Sequence, residues 1–278
     1  MNDEHWQEQE GARDDLVGEI VDFGENEETN VNEEGVDDWD RRFSVMSAEI
    51  VEASSCASFD ALTLVSLLAV VEPPSDFDIH TFSYLGCLLF VYQGNPASSW
   101  GYSFSAVPPT IPFSTTLSRS VDRLASSGLL EHARDTETHD VSGAPDARPS
   151  PVLERYRLTE IGREELAFLS SLHLMRQRTE YLTAATSTSL VYSVPAVINA
   201  LIHEPQLMQA IKTQAPRALL AAASSRSLYK QFAALRDAMG QQVHHLSVPA
   251  TVYVGYLEEQ GYDDSGGFRF AQAEPQDE

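Results

Sequence analysis

The sequence predicts a mainly α-helical protein with a small β-wing in its middle. Two strongly apolar helical stretches lie before residue 95, a capped amphipathic helix spans 114–126, and two short alternating segments, at 129–131 and 155–158, flank a polar loop. With 278 residues and 42% hydrophobic side chains, the chain is long enough to bury a substantial core.

The first 42 residues carry 16 acidic against 3 basic side chains, a net −13 out of −24 for the whole chain. Apolar residues such as Leu16, Ile20 and Phe23 are too sparse there to close a core, so residues 1–42 read as an acidic disordered arm. Its stretch Asp14–Phe23 interleaves apolar residues with acids and could fold onto a partner groove, although a solvating tail is the simpler reading.

The first helix is expected from a cap at Ser58 through Phe59, Leu62, Leu64, Val65, Leu67 and Leu68 to Val71, where Pro73 and Pro74 stop it. It is apolar on nearly all sides and should be buried. The second should follow Ser75 through Ile79, Phe82, Leu85, Leu88, Leu89 and Tyr92 and end at Gly94. From Trp100 to Val107 large and small residues alternate, which predicts a strand ending at Pro108–Pro109.

Ser114 is a good N-cap for a helix over 115–126, with Leu117, Val121 and Leu124 on one face and Gly128 where a C-terminus favours left-handed backbone. Leu129-Leu130-Glu131 and Arg155-Tyr156-Arg157-Leu158 then read as two wing strands. Thr159 caps a further helix with Ile161, Leu166 and Leu169 on one face, expected to continue towards Tyr181. Helix, helix, strand, helix, strand, wing, strand, helix is the winged helix-turn-helix order.

Downstream, two more helices are expected over 194–214 and 217–246, the first broken near Pro205 and the second favoured by the alanine-rich run Leu219–Ala223. From Glu258 an acidic, glycine-rich tail is expected. The resulting division is an arm at 1–42, a winged-helix domain at 43–180, a C-terminal helical region at 181–257 and a flexible tail at 258–278.

Chemistry-bearing motifs are scarce. No GxGxxG, GxxxxGK[ST] or HExxH pattern is present, so neither a phosphate cradle nor a zinc helix is expected. Asp264-Ser265-Gly266-Gly267 looks like a protease nucleophile loop, but such a site needs a base, an orienting acid and a rigid oxyanion frame, and its place in a loose near-terminal tail reads as a decoy. His244 and His245 are adjacent and so point about 100° apart on a helix, unsuited to joint metal ligation. Cys56 and Cys87 lack metal or redox spacing and read as reduced, buried thiols. The expectation is a non-enzyme without cofactor or metal. The longest apolar stretch, residues 61–71, is too short for a membrane span and no export signal is read at the N-terminus, so a cytoplasmic protein is expected.

The segment from Arg123-Leu124-Ala125-Ser126-Ser127-Gly128-Leu129-Leu130 to Tyr156-Arg157-Leu158-Thr159-Glu160-Ile161-Gly162 resembles many winged-helix proteins, PadR-like regulators among them. Extended to residues 58–180, the pattern resembles the winged-helix middle components of bacterial ABC-three-component anti-phage defence systems of the Lamassu type. That resemblance implies a non-catalytic accessory subunit docking onto an SMC-like ATPase and an effector. A transcriptional regulator is the alternative, binding DNA through helix 114–126 and the wing.

The candidate contact residues for either partner are Thr115, Thr116, Arg119, Arg123, Arg155 and Arg157. Against DNA stands the wing's near balance of charge, with Glu131, Asp135, Glu137, Asp140 and Asp146 opposing Arg134, Arg148, Arg155 and Arg157. An acidic chain suits basic protein surfaces better.

Overall fold

A computed structural model of the chain describes residues 53–107, 110–133, 154–221, 225–239 and 245–262. The expectations for the arm at 1–42, most of the wing loop, His244 and the Asp264–Gly267 loop lie outside these residues. The described chain is mainly helical, with a three-stranded and a two-stranded antiparallel sheet.

Helix α1 spans Ala53–Leu68. Ser58 lies inside it rather than at its cap, because Ala57 packs into the core with the rest of the helix. The helix also stops short of Val71, and Val70 and Val71 are exposed at 80% and 47%. Helix α2, Asp76–Tyr92, starts as expected: the Ser75 hydroxyl accepts from the Asp78 amide while the Asp78 carboxylate accepts from the Ser75 amide. Burial on almost every side makes α2 the central helix, and α5 is its most extensive partner.

Past Gly94, at φ 94°, the chain makes a 3-10 turn over Ala97–Trp100. The expected strand therefore starts late. Gly101, at φ 95°, breaks the extended geometry and drops the Trp100 ring into the core, so strand β1 covers only Phe104–Val107. It pairs with β2, Thr110–Phe113, and on its other edge with β5, Arg217–Leu219, in the register Phe104↔Leu219 and Ala106↔Arg217.

Helix α3, Thr115–Ser126, matches the sequence reading: Ser114 caps it, Leu117, Val121 and Leu124 are buried, and Gly128 takes φ 74°. Strands β3, Leu130–His132, and β4, Tyr156–Leu158, form a hairpin in the register Glu131↔Arg157. A short bridge from Ser75 to Arg155 and a bond from the Tyr156 amide to the Pro74 carbonyl add the α1–α2 connection to this ladder.

After Thr159 the expected single helix is two, α4 (Glu160–Ser171) and α5 (His173–Ser187), broken where Leu172 turns extended at φ −72°, ψ 134°. The inner face of α4, with Leu166 and Leu169, rests on the main core, while α5 docks Tyr181, Leu182 and Ala185 beside α2. Ile161, expected on the inner face, is 63% exposed.

Pro205 starts a separate helix because it cannot donate inside a continuing one. Helices α6 and α7 are accordingly Val194–Leu201 and Pro205–Thr213. The expected helix over 217–246 is corrected more deeply. Arg217–Leu219 is strand β5, Leu220 is left-handed at φ 57°, and helix α8 covers only Ser225–Met239. Pairing with β1 overrides the expected helix at Arg217–Leu219. Helix α9, Ser247–Tyr262, continues through Glu258, where a tail was expected to begin, because Tyr253, Val254 and Leu257 are buried against α5 and α6.

Candidate functional site

Helix α3 and the wing base hold the six candidate contact residues. His80 fixes the start of α3: its Nε2 lies 3.1 Å from the Ser114 carbonyl and its Nδ1 2.9 Å from the Asp76 carbonyl, with the ring stacked on Phe113 at 5.0 Å. Burying Leu117, Val121 and Leu124 turns Thr115, Arg119, Asp122 and Arg123 outward, while Thr116 is half-buried.

The arginines do not form one cationic face. The Arg123 Nη1 donates to the Ser54 hydroxyl at 2.7 Å. The Arg155 Nη1 turns back to donate to the Pro73 carbonyl at 2.6 Å and pairs with Glu72 at 3.2 Å. Only Arg119 and Arg157 project without such a bond among the described residues, and Arg157 sits across the ladder from Glu131.

Carboxylates act on the wing base. Tyr156 has its hydroxyl pushed up to about 12 by burial, then by the charges of Asp76, Glu154 and Asp122. Burial raises Asp76 as well, with Asp122 adding to the shift and His80 opposing it.

Beneath the surface lies a polar network that sequence reasoning missed. Arg178 of α5 donates through Nη1 to the Trp100 carbonyl at 2.6 Å and through Nη2 to Asp60 of α1 at 2.6 Å, and its Nε also donates to Asp60. Tyr102 donates to the same carboxylate. With Asp60 and Arg178 at 0% and 9% side-chain exposure, this cluster joins α1, the turn before β1 and α5 structurally. Its members are far apart in the chain, so no local motif marks them.

Cys56 and Cys87 are not joined in a disulfide, Cys87 being buried as expected and Cys56 half-buried. Burial raises the Cys87 thiol, which makes it a poor nucleophile. Among the described residues no group of three His, Cys, Asp or Glu side chains could hold a metal ion, and no single helix is long and apolar enough to cross a membrane.

A second apolar feature faces outward. Ile161 and Phe168 of α4 are each 63% exposed, Leu172 at the α4–α5 break 41%, and Leu174 83%. Glu164 is exposed and Glu165 half-buried between Ile161 and Phe168. Exposed apolar side chains along α4 and at its junction with α5 have the character of a contact surface.

Comparison of the chain with protein-family models, curated proteins and solved structures finds no match in any of the three.

Proposed function

We propose that residues 53–171 form a winged-helix module that serves as a protein-docking element rather than a DNA reader. In this reading α1, the Ser75 bridge, α2, α3 and the β3–β4 hairpin supply the order of a winged helix, with β1 and β2 as an insertion before α3. The carrying observation is electrostatic: two of the four candidate arginines bond within the chain, and Asp76, Asp122 and Glu154 surround the wing base.

The particular role we infer is that of a non-catalytic accessory subunit in a bacterial defence complex, bound to an SMC-like ATPase and an effector. The sequence resemblance motivates it, and the acidic chain and the exposed α4–α5 elbow support it. A regulator reading retains Arg119 and Arg157, which stay exposed on α3 and β4.

The test is affinity purification of the tagged chain from its native host, with and without nuclease, beside a DNA mobility-shift assay on the purified chain. Nuclease-resistant recovery of an ATPase and a second subunit, with no shift, supports the accessory reading. A lone dimer that shifts a specific DNA fragment overturns it.

A further inference from the structure

A cavity of about 630 Å³ opens beside the start of α3, lined by the Ser103–Val107 side of β1, by Thr115 and Thr116, and by residues 216–221. Its size falls within the roughly 300–1,000 Å³ typical of small-molecule sites. The β1–β5 pairing creates it, bringing together segments more than a hundred residues apart in the chain.

Its lining is uneven in a way that specifies a ligand. Among the described residues Arg217 is the sole charged side chain that lines it, and Arg217 has no ion-pair partner among them. The carboxyl that feels the Arg217 charge, Glu204, is buried and lifted to about 7, so near neutral pH it offsets that charge only in part. Around Arg217 the lining is apolar at Val107, Pro216 and Leu220 and hydroxyl-bearing at Ser105, Thr115 and Thr116.

The backbone here is also held in uncommon geometry. Leu220 has φ 57°, which costs a non-glycine residue about 1 kcal/mol or more, and its amide is tied to the Gln206 Oε1 at 2.9 Å. The bond ties the segment lining the cavity to the first turn of α7.

We propose that this cavity binds a small amphiphilic monoanion, its apolar body against Val107 and Leu220 and its carboxylate, sulfonate or phosphodiester on Arg217. A neutral ligand would leave the guanidinium unmatched, and a polyanion would meet a single cation in a chain of net charge −24. Because Thr115 and Thr116 line the cavity, an occupied site bears directly on the start of α3.

The probe is 1-anilinonaphthalene-8-sulfonate, compared with N-phenyl-1-naphthylamine, the same ring system without the sulfonate, each titrated by fluorescence into the full chain. The expected result is one saturable site per chain. Arg217→Gln should weaken the sulfonate about tenfold while leaving the neutral probe within about twofold. Ser105→Trp, which fills the cavity from β1, should abolish both; if it lowers the melting temperature, Thr116→Trp fills it from α3. Phe168→Ser, on the exposed elbow, should change neither. No saturable binding by the unmodified chain, equal sulfonate affinity in Arg217→Gln, or loss of the signal in Phe168→Ser overturns the proposal.

Discussion

Asp60 and Arg178, 118 positions apart in the chain, form a buried forked ion pair with the guanidinium stacked 3.8 Å from the centre of the Trp100 ring. Desolvation raises the Asp60 carboxyl, and the Arg178 charge with the Arg178, Tyr102 and Ser83 hydrogen bonds opposes that rise. The pair fixes where α5 crosses α1 and the turn before β1.

Removing one partner leaves the other buried and unmatched. Arg178→Ala should therefore cost about 3–5 kcal/mol in urea denaturation, whereas Asp60→Leu combined with Arg178→Met should cost less than the sum of the two single changes. A loss under about 1 kcal/mol for Arg178→Ala would show that solvent reaches the pair.

Glu204 makes stability depend on pH. Its Oε2 accepts from the Gln206 and Leu207 amides at 2.9 Å as the cap of α7, yet burial lifts it from 4.5 to about 7. The Tyr84 and Tyr253 hydroxyls, buried on α2 and α9, are raised first by burial and then by its charge. The folded chain thus holds this proton to higher pH than the unfolded chain. The contribution is fully present below 4.5 and is lost as pH rises through about 7, an effect on the order of 3 kcal/mol. Melting temperatures between pH 5 and pH 8 should fall from this group, and Glu204→Gln should flatten that part of the profile. An unchanged slope in the variant would remove Glu204 as its source.

Gly162, in the first turn of α4, is a packing constraint. A Cβ there would lie 2.1 Å from the Leu129 carbonyl oxygen. Gly162→Ala should separate α4 from the wing hairpin and cost roughly 2–4 kcal/mol. Gly128→Ala, with nothing within 4 Å of its Cβ but a φ of 74°, should cost only about 1 kcal/mol. Chemical denaturation of the two variants checks the ranking, and equal losses would refute a steric origin for the first.

The exposed elbow should separate binding from folding. Phe168→Glu with Leu174→Glu removes apolar surface at residues 63% and 83% exposed, so stability should stay within about 0.5 kcal/mol. Co-purification of the partner should nonetheless be lost, while Arg119→Ala and Arg157→Ala should leave it intact. Retention of the partner by the double glutamate variant would move the docking face elsewhere.

Elements whose signals fit within a turn or two of chain could be read from local residues alone. The Ser75, Ser114 and Thr159 caps, the left-handed Gly94 and Gly128, and the face carrying Leu117, Val121 and Leu124 are local hydrogen-bonding and periodicity effects, so α2, α3 and the β3–β4 hairpin were legible. Only the tertiary structure decided that Arg217–Leu219 is a strand, that Leu172 splits the helix after the wing, and that Arg178 serves Asp60 while Arg217 lines a cavity. In each case the deciding free energy comes from a distant partner: the β1 edge, the surface of α2, or a buried carboxylate. No window of neighbouring residues contains that partner, so local preference, such as the helix expected from Arg217 onward, is outweighed at Arg217–Leu219 by contacts the sequence does not display.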